Sequence, residues 1–225
     1  LQDEGRDAMD LIEEGRVTGD LGPAREAVGM LVSRDTGAMD VPDLRRTLAE
    51  TVSENLNDGF FAPLFYLILG GPALMWAYKA VSTMDSMWGY KTERFNELGR
   101  AAARADDLLA WIPARLTALF LILTGAMLGM PWREAKANLR GDAAKMESPN
   151  AGWPMAACAW LCRGSMGGPA VYFGEAKWKP NLGPEAQEWD LEKLKRLFRL
   201  SVFAAFLGLL VMQGVRVALG LLLSH

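Results

Sequence analysis

Long apolar runs separated by blocks of charge dominate the pattern of this chain. Residues 60–78 and 116–132 carry no charged side chain, and residues 200–223 carry only Arg216. Runs of roughly 17–25 apolar residues match the hydrocarbon thickness of a lipid bilayer. Three such runs exceed what one soluble core of this size needs, so the pattern predicts a membrane protein with several crossings.

The first apolar run contains a strong helix-breaking signal near its middle. Gly70, Gly71 and Pro72 follow one another there, and Pro63 lies one turn into the same run. Proline and glycine are tolerated in membrane helices where neighbouring groups satisfy the freed backbone. We therefore expect a broken or re-entrant helix at this point.

Amphipathic segments precede and separate the apolar runs. Residues 1–32 have the pattern of two short helices, and Leu44, Leu48 and Val52 form the apolar face of a third. Residues 164–183 are rich in glycine and are predicted to form a loop.

These patterns predict the fold class. We expect an all-α, polytopic membrane helical bundle with amphipathic helices and long polar loops that carry the site. Residues 1–58 are assigned to an amphipathic helical segment leading to the membrane. Residues 59–225 are assigned to a membrane-embedded helical domain, and both parts form one functional unit.

Composition then excludes several kinds of chemistry. The single histidine, His225, is the last residue, so no cluster of histidine metal ligands can form. Cys158 and Cys162 are four positions apart and are predicted to be small core residues. A net charge of −3 argues against a general nucleic-acid binder.

Carboxylates concentrate where charged segments meet apolar runs. Glu50, Glu54 and Asp58 share one helical face through their spacing of four, and this face ends at the first run. Carboxylates at a membrane boundary are costly unless they meet a cation or act in chemistry. A solvated helix face is the structural alternative, and the spacing alone leaves both open.

Five segments together resemble one known family. The motif of residues 82–119 is the longest and most specific, and the match runs in order from about residue 20 to about residue 200. The segments are VSRDT (32–36), ETVSENLNDGFFAPLFY (50–66), STMDSMWGYKTERFNELGRAAARADDLLAWIPARLTAL (82–119), SPNAGWPMAA (148–157) and GGPAVYFGE (167–175). They resemble the adenosylcobinamide-phosphate synthase family of cobalamin biosynthesis.

The resemblance implies a location and an activity. Family members are multi-pass proteins of the inner (cytoplasmic) membrane with further helices before the point where this chain starts, so we expect an N-terminal portion to precede Leu1. The implied reaction joins adenosylcobyric acid to (R)-1-amino-2-propanol phosphate, or to free aminopropanol, with ATP and Mg²⁺. Its product is adenosylcobinamide phosphate. The implied partners are these substrates, the lipid bilayer and other late enzymes of the pathway, with no nucleic acid.

Residue chemistry then suggests roles within that reaction, because the family motifs do not assign them. Magnesium binding and proton transfer require carboxylates, and the candidates are Glu54, Asp58, Asp85, Asp106 and Asp107. Of these, Asp58, Asp85 and Asp106 are the candidate magnesium ligands. Phosphate and corrinoid carboxylate call for cations, for which the candidates are Lys91, Arg94, Arg104 and Arg115. Substrate orientation calls for neutral polar groups, for which the candidates are Asn55, Ser86, Asn150 and Tyr172.

Two other functions compete with the ligase. A non-enzymatic membrane sensor, like a paralogue related to β-lactamase regulation, predicts loss of the acidic and basic motif positions, which are present here. A transporter also uses broken helices and predicts two similar halves, which the sequence does not show.

Lys91 and Arg94 provide a test at this level, because two cations three positions apart repel one another unless an anion lies between them. Arg94→Lys keeps the charge but loses the planar, bidentate guanidinium. We expect the folded, membrane-inserted variant to use ATP or aminopropanol phosphate at least about 10-fold less well, measured by steady-state kinetics for each substrate. Wild-type kinetics for both substrates would place the pair in a solvated loop.

Overall fold

The computed structural model describes residues 2–88 and 96–223. Within these residues the chain forms nine α-helices, one π-helical turn and one two-stranded antiparallel sheet. In chain order the elements are α1 (Gln2–Thr18), α2 (Gly22–Gly29), α3 (Val41–Leu56), the π-helical turn (Asn57–Phe61), α4 (Ala62–Trp88), α5 (Asn96–Leu109), α6 (Trp111–Met127), α7 (Trp132–Ala143), α8 (Gly152–Cys162), β1 (Met166–Tyr172), β2 (Glu175–Leu182) and α9 (Leu191–Leu223).

The fold is mostly helical, with 74% helix and 7% strand, so the predicted class is right in the main. The exception is the glycine-rich stretch 164–183, where the predicted loop is wrong. β1 and β2 pair there through a two-residue turn at Phe173 and Gly174, with φ of 52° and 81°. Two positive φ values match the right-handed twist of a hairpin, and the sequence signal was this glycine turn between strand-forming residues.

Candidate membrane spans are present among the described residues. Val41–Met87 and Leu191–Ala218 are long and apolar enough to cross a bilayer. A third candidate, Gly99–Leu109 with Trp111–Met127, is bent by 46°. These lengths are consistent with the predicted polytopic bundle, which stays a prediction.

The break predicted in the first apolar run is confirmed, and it reverses the chain. Gly71 has φ 71° and ψ −167° inside α4, a conformation open essentially to glycine alone. The rings of Tyr66 and Tyr78 stack with centroids 5.0 Å apart. A straight helix would separate residues twelve positions apart by about 18 Å. α4 is therefore a helical hairpin, and Val41–Met87 is not one straight rod.

One apolar core joins the two ends of the chain. Leu44, Leu48 and Val52 are buried in it, which confirms the predicted apolar face of α3. Burial also raises the pKa of the Cys158 thiol to about 12, so this residue is a neutral core group, as predicted. The boundary proposed between residues 58 and 59 falls inside the π-helical turn, where α3 and α4 are continuous.

A buried ion pair connects α3 to the loop before it and to the hairpin. Arg34 and Glu50 are 8% and 1% exposed and form a hydrogen-bonded pair. Burial acts to lower the pKa of Arg34, but the Glu50 carboxylate and, to a smaller extent, Tyr172 together outweigh burial and raise that pKa. The other carboxylate oxygen of Glu50 accepts a hydrogen bond of 2.7 Å from the Gly167 backbone N–H of β1. Glu50 is therefore part of the internal framework, although its spacing placed it with the carboxylates at the membrane boundary.

This pair predicts a large effect of a small change on stability. Glu50→Gln keeps the side-chain shape but leaves the Arg34 guanidinium buried without an opposite charge. We expect the free energy of unfolding, measured by denaturant titration in detergent, to fall by about 3–5 kcal/mol. Glu192→Gln is the control, because Glu192 and Lys195 form an exposed pair that contributes about 1 kcal/mol or less. Similar losses in both variants would contradict a framework role for Glu50.

Candidate carboxylate site

Three chain segments bring the predicted acidic residues together. Asp58 lies on the π-helical turn, and such turns are frequent at functional sites. The α4 hairpin returns toward this turn and carries Asp85, and α5 packs against α4 and presents Asp106 and Asp107. Helices thus carry all five acidic candidates, and the prediction that long polar loops carry them is wrong.

The carboxylates of this site act on one another. Asp58 interacts electrostatically with Glu54 and Asp106. Asp106 in turn interacts with Asp85 and Asp107. Five acidic groups that face one another in half-buried surroundings repel unless a cation or a proton lies between them. Their arrangement therefore favours cation binding or proton transfer over a solvated helix face.

One oxygen of the site stands out. Asp106 Oδ1 is buried and has no hydrogen-bond partner among the described residues. A buried acceptor without a partner is costly, and most such atoms in proteins are satisfied by protein, water or an ion. This oxygen lies among other carboxylates, so a cation is a partner of suitable charge.

The described residues form no preformed metal cage: within residues 2–88 and 96–223, no three His, Cys, Asp or Glu side chains have an arrangement that would hold a metal ion. Magnesium that enters with a nucleotide usually keeps several waters and takes one or two carboxylates plus phosphate oxygens. The donor set therefore fits a shared magnesium–nucleotide site, and magnesium at Asp58, Asp85 and Asp106 stays a prediction.

Lys79 belongs to the site, although its position in the sequence alone does not indicate this. Its ammonium interacts with both Asp58 and Asp106. In the sequence Lys79 is simply the first charge after the apolar run, 21 positions from Asp58. The break at Gly70 and Gly71 lies between the two residues in sequence, and this was the one signal that could have indicated their electrostatic interaction.

Asn57 and Thr117 orient Asp58, and neither is among the site residues that the sequence suggests. The Asn57 side-chain amide donates a hydrogen bond of 2.6 Å to Asp58 Oδ1. The Thr117 hydroxyl on α6 donates to Asn57 Oδ1 over 3.0 Å. Both partners are buried, so the carboxylate of Asp58 is held by a chain of hydrogen bonds that reaches α6.

Asn150 connects Asp107 with Arg115, and its predicted role in orienting a substrate stays a prediction. Its side-chain amide donates over 2.7 Å to the backbone carbonyl of Asp107 and accepts over 3.1 Å from Arg115. Ser148, which precedes it, donates to Asp107 Oδ1 over 3.3 Å. The segment of residues 148–150 therefore fixes the end of α5.

The contacts of Arg115 are structural. Its guanidinium donates to the Trp111 carbonyl over 2.7 Å and lies over the rings of Trp111 and Trp153, at 4.1 and 4.7 Å from their centroids. These contacts hold the start of α6 against the start of α8. Its predicted role in binding a substrate anion stays a prediction.

Three further candidates among the described residues, Tyr172, Asn55 and Ser86, contact groups other than these carboxylates. Tyr172 lies on β1 between the Arg34 guanidinium and the Lys179 ammonium, at 5.9 and 5.7 Å from its ring centroid. Asn55 and Ser86 donate to backbone carbonyls of their own helices, and Arg104 is exposed on α5. Lys91 and Arg94 lie outside the described residues.

Comparison with known proteins gives a consistent result. The family model described as CobD/Cbib protein matches residues 1–201. Three relatives are each named cobalamin biosynthesis protein CobD. That of Photorhabdus laumondii is 37% identical over 97% of this chain and 67% of its own length. Those of Pelobacter propionicus and Yersinia enterocolitica are 39% and 40% identical over 93% and 94% of this chain and 64% and 65% of their own lengths.

The chain thus spans about two thirds of the length of these curated relatives. No solved structure matches it significantly.

The geometry of the site depends on the reversal at Gly71, which can be tested directly. Gly71→Ala has space for the new methyl group but must adopt a backbone conformation that alanine avoids. We expect a loss of about 1–3 kcal/mol in the free energy of unfolding in detergent. Gly214→Ala on α9 also has free space but ordinary helical geometry, so it should be neutral or slightly stabilising. Equal stability of the two variants would contradict the strained reversal.

Proposed function

The chain belongs to the CobD/Cbib protein family, and from this premise we propose that it forms an amide bond in cobalamin biosynthesis. The proposed reaction joins adenosylcobyric acid to (R)-1-amino-2-propanol phosphate, or to free aminopropanol, with consumption of ATP and in the presence of magnesium. The main support from the site is that Asp106, which has a buried oxygen without a hydrogen-bond partner among the described residues, interacts electrostatically with Asp58 and Asp85.

Amide formation from a free acid makes two demands that carboxylates can meet. The acid must first be activated, most simply by phosphate transfer from ATP, which requires control of negative charge. The attacking amine must then lose a proton to a nearby base. A group of five carboxylates offers both a cation site and a proton acceptor, whereas a non-enzymatic sensor needs neither.

In this proposal one or two of the carboxylates of Asp58, Asp85 and Asp106 would hold magnesium together with phosphate oxygens of the nucleotide. When bound, the metal would neutralise phosphate charge on the nucleotide. Glu54, half-buried one turn before Asp58, and Asp107, held by Ser148, remain available to accept the proton of the amine. Lys79 is placed to limit the repulsion among these carboxylates before substrates bind.

The membrane location belongs to the same proposal. The candidate spans support a protein of the cell membrane, and we propose that it crosses the inner membrane several times. Association with other late enzymes of the pathway would hand the corrinoid product onward.

The proposal predicts the effect of removing single charges from the site. Asp85→Asn and Asp106→Asn keep side-chain size, and each should lower the rate of adenosylcobinamide phosphate formation by at least about 100-fold. The assay supplies the full-length protein in detergent with adenosylcobyric acid, aminopropanol phosphate, ATP and magnesium.

The matched control is Asp7→Asn on the exposed face of α1, which should leave the rate unchanged. Full activity of both Asp85→Asn and Asp106→Asn would rule out this site. If the wild-type protein formed no product with any combination of these substrates, the reaction itself would be ruled out.

A further inference from the structure

A second group of charges lies at the other end of α6 from the carboxylates. Arg163, Arg196 and Arg199 line a surface cavity of about 570 Å³ together with residues 128–131. α6 has 17 residues and is therefore about 25 Å long. The carboxylates gather at the start of this helix and the arginines at its end, so the two sites are separate.

The arginines of this cavity have little opposing charge. Across the part of the chain that the structure describes, neither Arg196 nor Arg199 forms an ion pair with a carboxylate. Arg163 pairs with Glu134 over 2.9 Å, but both side chains are more than half exposed, and such pairs contribute little. Three guanidinium groups around one cavity repel one another unless an anion occupies it.

The backbone of Arg163 adds a second observation. It ends α8 in the left-handed conformation, with φ 55° and ψ 47°. Glycine is the common residue at such a helix end, and Gly164 follows directly. An arginine held in this unfavourable conformation is consistent with a need for its side chain in the cavity.

The surroundings of the cavity are apolar. Leu128, Met130 and Leu161 form part of its wall, and the exposed side chains of Val202 and Phe203 follow on α9. α9 changes at this level from its charged first turns to the apolar stretch of the candidate span.

A neighbouring cavity extends the positive charge along α9. It has a volume of about 380 Å³ and is lined by Arg6, Lys195 and Arg199, with Asp10 as its one acidic lining residue. Arg199 belongs to both cavities. The basic side chains thus form a band at the point where the apolar surface of α9 begins, which is where lipid headgroups meet basic residues in membrane proteins.

We propose that the cavity of Arg163, Arg196 and Arg199 binds a phosphate group. Arginine matches phosphate through paired N–H donors, and the apolar wall would accommodate the carbon chain attached to that phosphate. The phosphate can belong to an anionic phospholipid or to a soluble phosphate compound. This inference does not depend on the proposed ligase activity.

The test compares two probes on the full-length protein purified in detergent. Retention of phosphatidylglycerol relative to phosphatidylcholine is measured by native mass spectrometry, and binding of inorganic pyrophosphate is measured by calorimetry. We expect the double variant Arg196→Gln and Arg199→Gln to have about 30-fold lower affinity for whichever probe the wild type binds better, or about 5-fold for each lost charge. Lys136→Gln with Arg140→Gln on the exposed face of α7 removes the same charge outside the cavity and should have little effect.

A further variant separates binding from folding. Arg163→Gly removes one guanidinium, but glycine adopts the left-handed backbone conformation without strain. The variant should therefore have about 5-fold lower affinity for the probe that the wild type binds better, without a loss of stability. Loss of phosphatidylglycerol preference assigns the site to a lipid headgroup, and loss of pyrophosphate binding alone assigns it to a soluble phosphate. Either result supports the phosphate site. The phosphate site would be overturned if both cavity variants bound each probe as well as the wild type does. It would also be overturned if the α7 control variant lost as much binding as the cavity variants.

Discussion

The reversal of the first apolar run at Gly71 is the constraint on which the proposed site depends. A chain that turns inside apolar surroundings must find hydrogen-bond partners for its backbone N–H and C=O groups within the protein. Because helices lie on both sides of the turn, only a few of these groups need a partner from elsewhere. The stacked rings of Tyr66 and Tyr78 hold the two arms together. Because of this turn Lys79 lies beside Asp58, and Asp85 lies within reach of α5.

α3 and the π-helical turn after it carry acidic residues that serve two purposes. Glu50 and Asp58 are eight positions apart, yet Glu50 on α3 is paired with Arg34 and accepts a hydrogen bond from the β-hairpin. Asp58, two turns later, faces other carboxylates and one lysine. The first arrangement stabilises the fold, and the second leaves negative charge uncompensated. Such uncompensated charge costs stability and is therefore the better indication of chemistry.

Several residues of the family motifs serve the framework. In the VSRDT motif, Arg34 pairs with Glu50, and Asp35 accepts a hydrogen bond of 2.7 Å from the Gly174 N–H in the hairpin turn. In the SPNAGWP motif, Asn150 joins Asp107 to Arg115. A motif residue can thus contribute to a reaction by fixing the helix ends that carry the reacting groups, without contacting a substrate.

The sequence by itself determined the helical class, the apolar face of α3 and the break in α4, because each follows from local spacing or composition. The acidic candidates came from residue chemistry within the family resemblance, and their roles stay predictions. The sequence missed the β-hairpin, since a two-residue turn between short strands gives a weak local signal. Only the tertiary structure decided that Glu50 belongs to the framework, that Lys79 joins Asp58, and that Tyr172 lies away from the carboxylates. These outcomes depend on contacts between residues far apart in the chain. The pattern of a sequence describes the spacing of residues along one helix, but it does not say which other element packs against that helix.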